Sequence, residues 1–189
     1  EIAGLEGIHI GVIQSVREIP GFLALLAIFV MLLVKEHRLS ALSTLVLGVG
    51  LAATGLFPSF IGLLITTLIM SFGFHYYETT NQSLTLQYFD ENTSPWVLGK
   101  LRSMAAVSNI GIGVFIYLMA ALLNYTQIYL LVGGLIVATS VWALTKDPTD
   151  RDIIPQRKKI IFRKRYWLFY FLTFMGGARR QNFMAFAVF

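Results

Sequence analysis

Residues 103–145 read SMAAVSNIGIGVFIYLMAALLNYTQIYLLVGGLIVATSVWALT, 43 residues between Arg102 and Lys146 without one Asp, Glu, Lys or Arg. A helix crossing a bilayer needs about 20 apolar residues, so this stretch holds two crossings. The turn between them belongs near the middle, where Asn124-Tyr125-Thr126-Gln127 stands. A second uncharged stretch, 39 residues between Arg38 and Glu78, repeats the arrangement around Phe57-Pro58-Ser59. Working outward, hydropathy places a first span from about His9 to Val34, a second from about Leu39 to Leu56 and a long third from about Phe60 to Phe89. A fourth runs from about Gly99 to Leu123, a fifth from about Tyr125 to Thr145 and a sixth from about Tyr166 to Phe189.

Composition agrees with this reading. Of the 189 residues, 56% are hydrophobic and 13% charged, against about 25% charge in an ordinary soluble domain. The absence of cysteine excludes a disulfide scaffold. The expected fold class is an all-α integral membrane protein, a polytopic helical bundle. A chain that begins at Glu1 reads as a piece of something longer.

Cytoplasmic loops accumulate Lys and Arg and translocated loops avoid them. Lys35 and Arg38 lie in one connection, Lys100 and Arg102 in the next but one, and eight more between Lys146 and Arg165, so twelve of the 15 basic residues fall on one side. Residues 1–8, 57–59 and 124–127 contain none. The first span is therefore expected to run from outside to inside. The run from Arg157 to Arg165, six basic residues in nine, reads as positive-inside topology with attraction to anionic lipid rather than as a nucleic-acid patch.

Polar groups at membrane depth are costly and face a bundle interior or a wet cavity. Thr67, Ser71, His75, Glu78, Gln82 and Thr85 recur at steps of three or four, which keeps them on one stripe of the third span. Glu78 lies about 6 Å beyond the midpoint of that span at about 1.5 Å per residue. The stripe reads as the wall of an aqueous pathway; the other reading is a helix end at the interface. The first span carries Gln14, Arg17 and Glu18 followed by Pro20-Gly21, and the sixth carries Gly176-Gly177-Ala178-Arg179-Arg180-Gln181. Glycine and proline there allow a helix to break where its backbone lines a cavity. Arg17 and Glu18 serve either the cavity or neutralisation between helices. Leu47–Leu56 and Leu130–Leu144 are nearly free of polar groups and read as lipid-facing, whereas Ala105, Ala106, Ser108, Gly111 and Gly113 suit the fourth span to close helix contact.

No HExxH, GxSxG, phosphate loop or CxxC motif is present, so no enzyme, metal or cofactor is expected. The order of helix types and the stretch from Thr80 to Leu123 resemble the major facilitator superfamily of secondary transporters. Asp90-Glu91-Asn92-Thr93-Ser94-Pro95, then Gly99-Lys100-Leu101-Arg102, then Ser108-Asn109-Ile110-Gly111-Ile112-Gly113 resemble the junction of that family's fourth and fifth helices. Lys35-Glu36-His37-Arg38 stands in place of its loop between helices two and three.

The resemblance implies a twelve-helix protein working by alternating access. Residues 1–145 would supply helices two to six, 146–165 a basic cytoplasmic connection and 166–189 the start of helix seven, the C-terminal half being supplied by the rest of the polypeptide. On that mapping the cavity-lining or substrate-binding residues are Arg17, Ser71, His75, Glu78, Gln82, Arg179, Arg180 and Gln181, with Glu78 and Glu18 as coupling residues. The expected partners are the lipid bilayer, a small solute, anionic because arginines outnumber carboxylates at membrane depth, and protons; the expected place is the plasma (inner) membrane, as a multi-pass protein. The alternatives are a receptor or assembly factor that keeps the fold without transport, and an intramembrane enzyme.

Overall fold

The computed structural model describes residues 6–148 and 163–175. Every regular element among them is helical: α1 (Gly7–Arg17), α2 (Ile19–Leu23), α3 (Ala27–Leu33), α4 (Glu36–Thr54), α5 (Phe60–Tyr88), α6 (Ser94–Met119) and α7 (Tyr125–Leu144), with short 3-10 turns at Ala24–Leu26 and Lys164–Tyr166. Residues 167–175 are also helical. Four segments are long and apolar enough to cross a membrane: Gly7–Leu33, α5, α6 and α7. α4 is not among them. Its first turn is Glu36, His37 and Arg38, which leaves residues 39–54 as its apolar part, about 24 Å at 1.5 Å per residue against a hydrocarbon core of about 30 Å.

The first span is not one helix. Pro20 has no N–H to continue the ladder of α1, and the chain passes through Glu18 into the short α2, then a 3-10 turn, before α3 resumes. The two turns expected from sequence lie where the uncharged stretches placed them, and each is fixed by a cap. Ser59 Oγ accepts the Gly62 N–H at 3.1 Å. Asn124 Oδ1 accepts the Gln127 N–H while Gln127 Oε1 accepts the Asn124 N–H, both at 2.9 Å, so two free donors at the start of α7 are satisfied reciprocally. The Thr126 hydroxyl donates to the Gly55 carbonyl at 2.8 Å and ties the two turns together. Between α5 and α6 the Asp90 carboxylate accepts the Thr93 N–H at 2.6 Å. The Thr93 side chain first, and this backbone hydrogen bond second, hold the carboxyl below its ordinary value.

The packed centre is α4 between α5 and α7, and glycine makes it possible. A β-carbon at Gly73 of α5 would stand 2.5 Å from the backbone nitrogen of Leu47, and one at Gly133 of α7 would stand 2.6 Å from the backbone nitrogen of Ala52. Helices come this close only where side chains are absent. This corrects the sequence reading of the small-residue helix. Gly111 and Gly113 of α6 have no neighbour within 4 Å, and Ser94 is the one buried residue of α6. The second span, read as lipid-facing, instead buries Leu39, Ala41, Ser43, Gly48, Gly50 and Thr54. Hydropathy could not separate the cases, because Gly, Ala and Leu are equally apolar whether they meet lipid or another helix.

Candidate functional site

The break in the first span is where the polar residues converge. With proline removing a donor, backbone groups near Glu18 need partners from elsewhere, and in a bilayer water does not supply them. Ser71 of α5 is buried, and its hydroxyl donates to the Arg17 carbonyl. One turn further along α5 the His75 imidazole lies on Gly21, where a β-carbon would stand 2.9 Å from its Cε1. Pro20-Gly21 therefore does two things: it breaks the helix and opens the space that His75 fills.

Beside this contact is a cavity of about 310 Å³ among α1, α4 and α5. Its polar wall is Gln14, Arg17, Thr67 and Ser71; its apolar wall includes Leu47 and Phe74. The volume is at the lower end of the range for small-ligand sites. Arg17 is half-buried. Its Nη1 lies 3.5 Å from Gln14 Oε1, a neutral partner. The ion pairs found among the described residues join Lys35 and His37 to Asp147, at 3.3 and 3.5 Å, at the far end of the bundle; none brings a carboxylate to Arg17. A guanidinium stays charged in proteins, so this wall carries a permanent positive charge facing neutral groups.

The sequence-derived stripe on α5 divides in two. Thr67, Ser71 and His75 pack beside the broken first span, whereas Glu78 and Gln82 are exposed and Thr85 is buried with its hydroxyl on the Asn81 carbonyl at 2.8 Å. Glu78 lies about 10 Å along α5 from Ser71, seven residues at about 1.5 Å each. Glu18 is exposed. Arg179, Arg180 and Gln181 lie outside the described residues. Among the described residues no three His, Cys, Asp or Glu side chains gather as a metal site.

A second polar cluster was not singled out from sequence. At the basic end of the bundle Glu36 is buried and accepts from the Ser83 hydroxyl at 3.2 Å, joining α4 to α5. Lys35 and His37 meet Asp147, joining the start of α4 to the chain beyond α7. Burial holds the His37 imidazole below its ordinary value; Asp147 opposes that effect, while Lys35 and Arg38 add to it. The available signal was the compression of four ionisable residues, Lys35 to Arg38, between two apolar helices.

Comparison with family models, curated proteins and solved structures finds no match to this chain.

Proposed function

We propose that the chain belongs to a secondary transporter of the major facilitator type that moves a small anionic solute across the plasma membrane by alternating access. The observation that carries the reading is the membrane-depth cavity in which Arg17 faces a neutral amide and hydroxyls but no carboxylate. A half-buried charge without a counter-charge among the described residues is partly desolvated at a cost, and an anionic group entering the cavity would supply one. The broken helix beside it supports the same reading, since interrupted helices are where transporters of several folds place their substrate sites. Glu78, exposed on α5 about two turns from Ser71, is the proposed proton-coupling group.

The test uses the full-length protein in vesicles, with counterflow of labelled carboxylates and inorganic anions read against neutral sugars and amines. Transport of an anion that Arg17→Gln abolishes, with the variant still folded, is the expected result. No counterflow of any probe, or anion transport untouched by Arg17→Gln, removes the anion-transport reading; folded protein without counterflow favours the receptor or assembly-factor alternative.

A further inference from the structure

A further cavity of about 520 Å³ lies at the basic end of the bundle where α4, α5 and α7 converge. Its lining combines Ala41, Leu84, Ala143 and Trp142 with the hydroxyl residues Ser40, Thr44, Tyr77, Thr139 and Ser140 and with the basic side chains His37 and Lys146. The last two suit it to an anion. Lys146 is exposed and makes no ion pair among the described residues, its ammonium lying 5.5 Å from the centre of the Trp142 ring. His37 Nε2 is buried and lacks a hydrogen-bond partner. Asp147, 3.5 Å from that nitrogen, also pairs with Lys35 at 3.3 Å. Among the described residues nearby, Lys35, Arg38 and Lys146 exceed Glu36 and Asp147 by one positive charge.

We infer that this cavity is a binding site for an anionic phospholipid, with the phosphate at Lys146 and His37 and the glycerol and upper acyl chain against Trp142, Ala143 and Leu84. The wall decides between a lipid and a free anion. The Thr44, Thr139 and Ser140 hydroxyls in it donate to carbonyls of their own helices, so most of its exposed surface is apolar; an inorganic phosphate at Lys146 would leave that surface wet, whereas an acyl chain covers it. Trp142 is 65% exposed, and a tryptophan so placed near a lysine at a helix end is the usual composition of a membrane interface. Basic pockets between helices at the cytoplasmic face are suited to anionic headgroups. The inference rests on the membrane reading and on the orientation given by the basic loops, but not on transport.

Trp142 reports occupancy directly. In the full-length protein with Trp142 as the sole tryptophan, reconstituted in phosphatidylcholine vesicles, brominated phosphatidylglycerol should half-quench the fluorescence at a mole fraction lower than brominated phosphatidylcholine by about fivefold, the contribution of about one lysine at a membrane surface. Lys146→Gln, a change at an exposed position, should erase that preference and leave quenching by phosphatidylcholine unchanged. Equal quenching by the two lipids overturns the proposal, as does a preference that survives Lys146→Gln. Reversal of the quenching by millimolar inorganic phosphate also overturns it, since the site would then belong to a soluble anion. Quenching by neither lipid refutes the membrane placement itself.

Discussion

Gly73→Ala tests whether close approach of α4 and α5 organises the bundle. The added methyl would stand 2.5 Å from Leu47 N and 2.5 Å from Ser43 O, where ordinary contact begins at 3.4 Å. Both atoms are backbone, so no rotamer change relieves the clash and α4 must retreat by about 0.9 Å, a large displacement in a close-packed interior. Overpacking of this kind costs about 1–3 kcal/mol. Alanine returns up to about 1 kcal/mol through its better helix propensity; with two backbone atoms in the way the cost belongs at the upper end, leaving a net loss of about 2 kcal/mol, a factor of about 30 in the folded-to-unfolded ratio. Gly111→Ala is the matched control, because nothing lies within 4 Å of it and only the propensity gain remains. Reversible unfolding of the purified protein in mixed micelles, monitored by helical circular dichroism against SDS fraction, measures both. If Gly73→Ala is as stable as the parent, or if Gly111→Ala is equally damaging, the α4–α5 contact does not have the role assigned to it.

Three further outcomes are expected. Cysteines introduced at Ser59 and Asn124 should react with an impermeant thiol reagent from outside and one at Gln156 only from inside, following the twelve basic loop residues on one side; the reverse labelling overturns the orientation. Glu78→Gln should abolish proton-driven uptake while sparing solute exchange at equal pH, whereas Arg179→Ala and Arg180→Ala should weaken binding; normal uphill transport by the first and unchanged affinity in the other two would make these charges structural. Because burial lowers the His37 pKa in the folded protein, the unfolded chain takes up the proton first, and stability should fall as pH drops through about 6.5 and level off below the folded value. His37→Gln should flatten that part of a melting-temperature profile between pH 8 and 5, and an unchanged slope would assign the acid sensitivity to another group.

The helix pattern was legible because its cause is local. Charge-free stretches, Pro58 with Ser59, and the Asn124–Gln127 capping pair each act within a few residues, and the termini of α5 and α7 follow from them. The polar stripe on α5 was legible as spacing, but not which part of it meets another helix. That depends on Pro20-Gly21, about 50 residues away in sequence, opening room for His75 and leaving the Arg17 carbonyl to Ser71. The small-residue helix was assigned to α6 because Ala105, Ala106, Ser108, Gly111 and Gly113 fall within one span. The glycines that count, Gly48, Gly50, Gly73 and Gly133, are spread over three helices, and no window along the chain contains them all.

α5 presents a packing face and, on its other side, a face that borders the Arg17 cavity. Thr66, Gly73 and Thr80 lie about 180–220° around the helix from Ser71. All three are buried, and the Gly73 backbone is pressed against α4. Thr67, Ser71 and His75 lie beside the broken first span and the Arg17 cavity, and Glu78 is exposed further along the helix. Substitutions on the α4 face act through helix separation and must lower stability together with any activity. Substitutions at Thr67 or Glu78 alter groups that line the cavity or are exposed, and can change binding or coupling in a protein that melts normally. Ser71 falls between the classes, since its hydroxyl both satisfies the helix break and borders the cavity. Ser71→Ala should lower stability and binding together, while Thr67→Val, which keeps the shape and removes one hydroxyl from the cavity wall, should change binding alone. A Thr67→Val protein that binds normally but melts early would place Thr67 with the packing residues and shrink the polar wall to Gln14, Arg17 and Ser71.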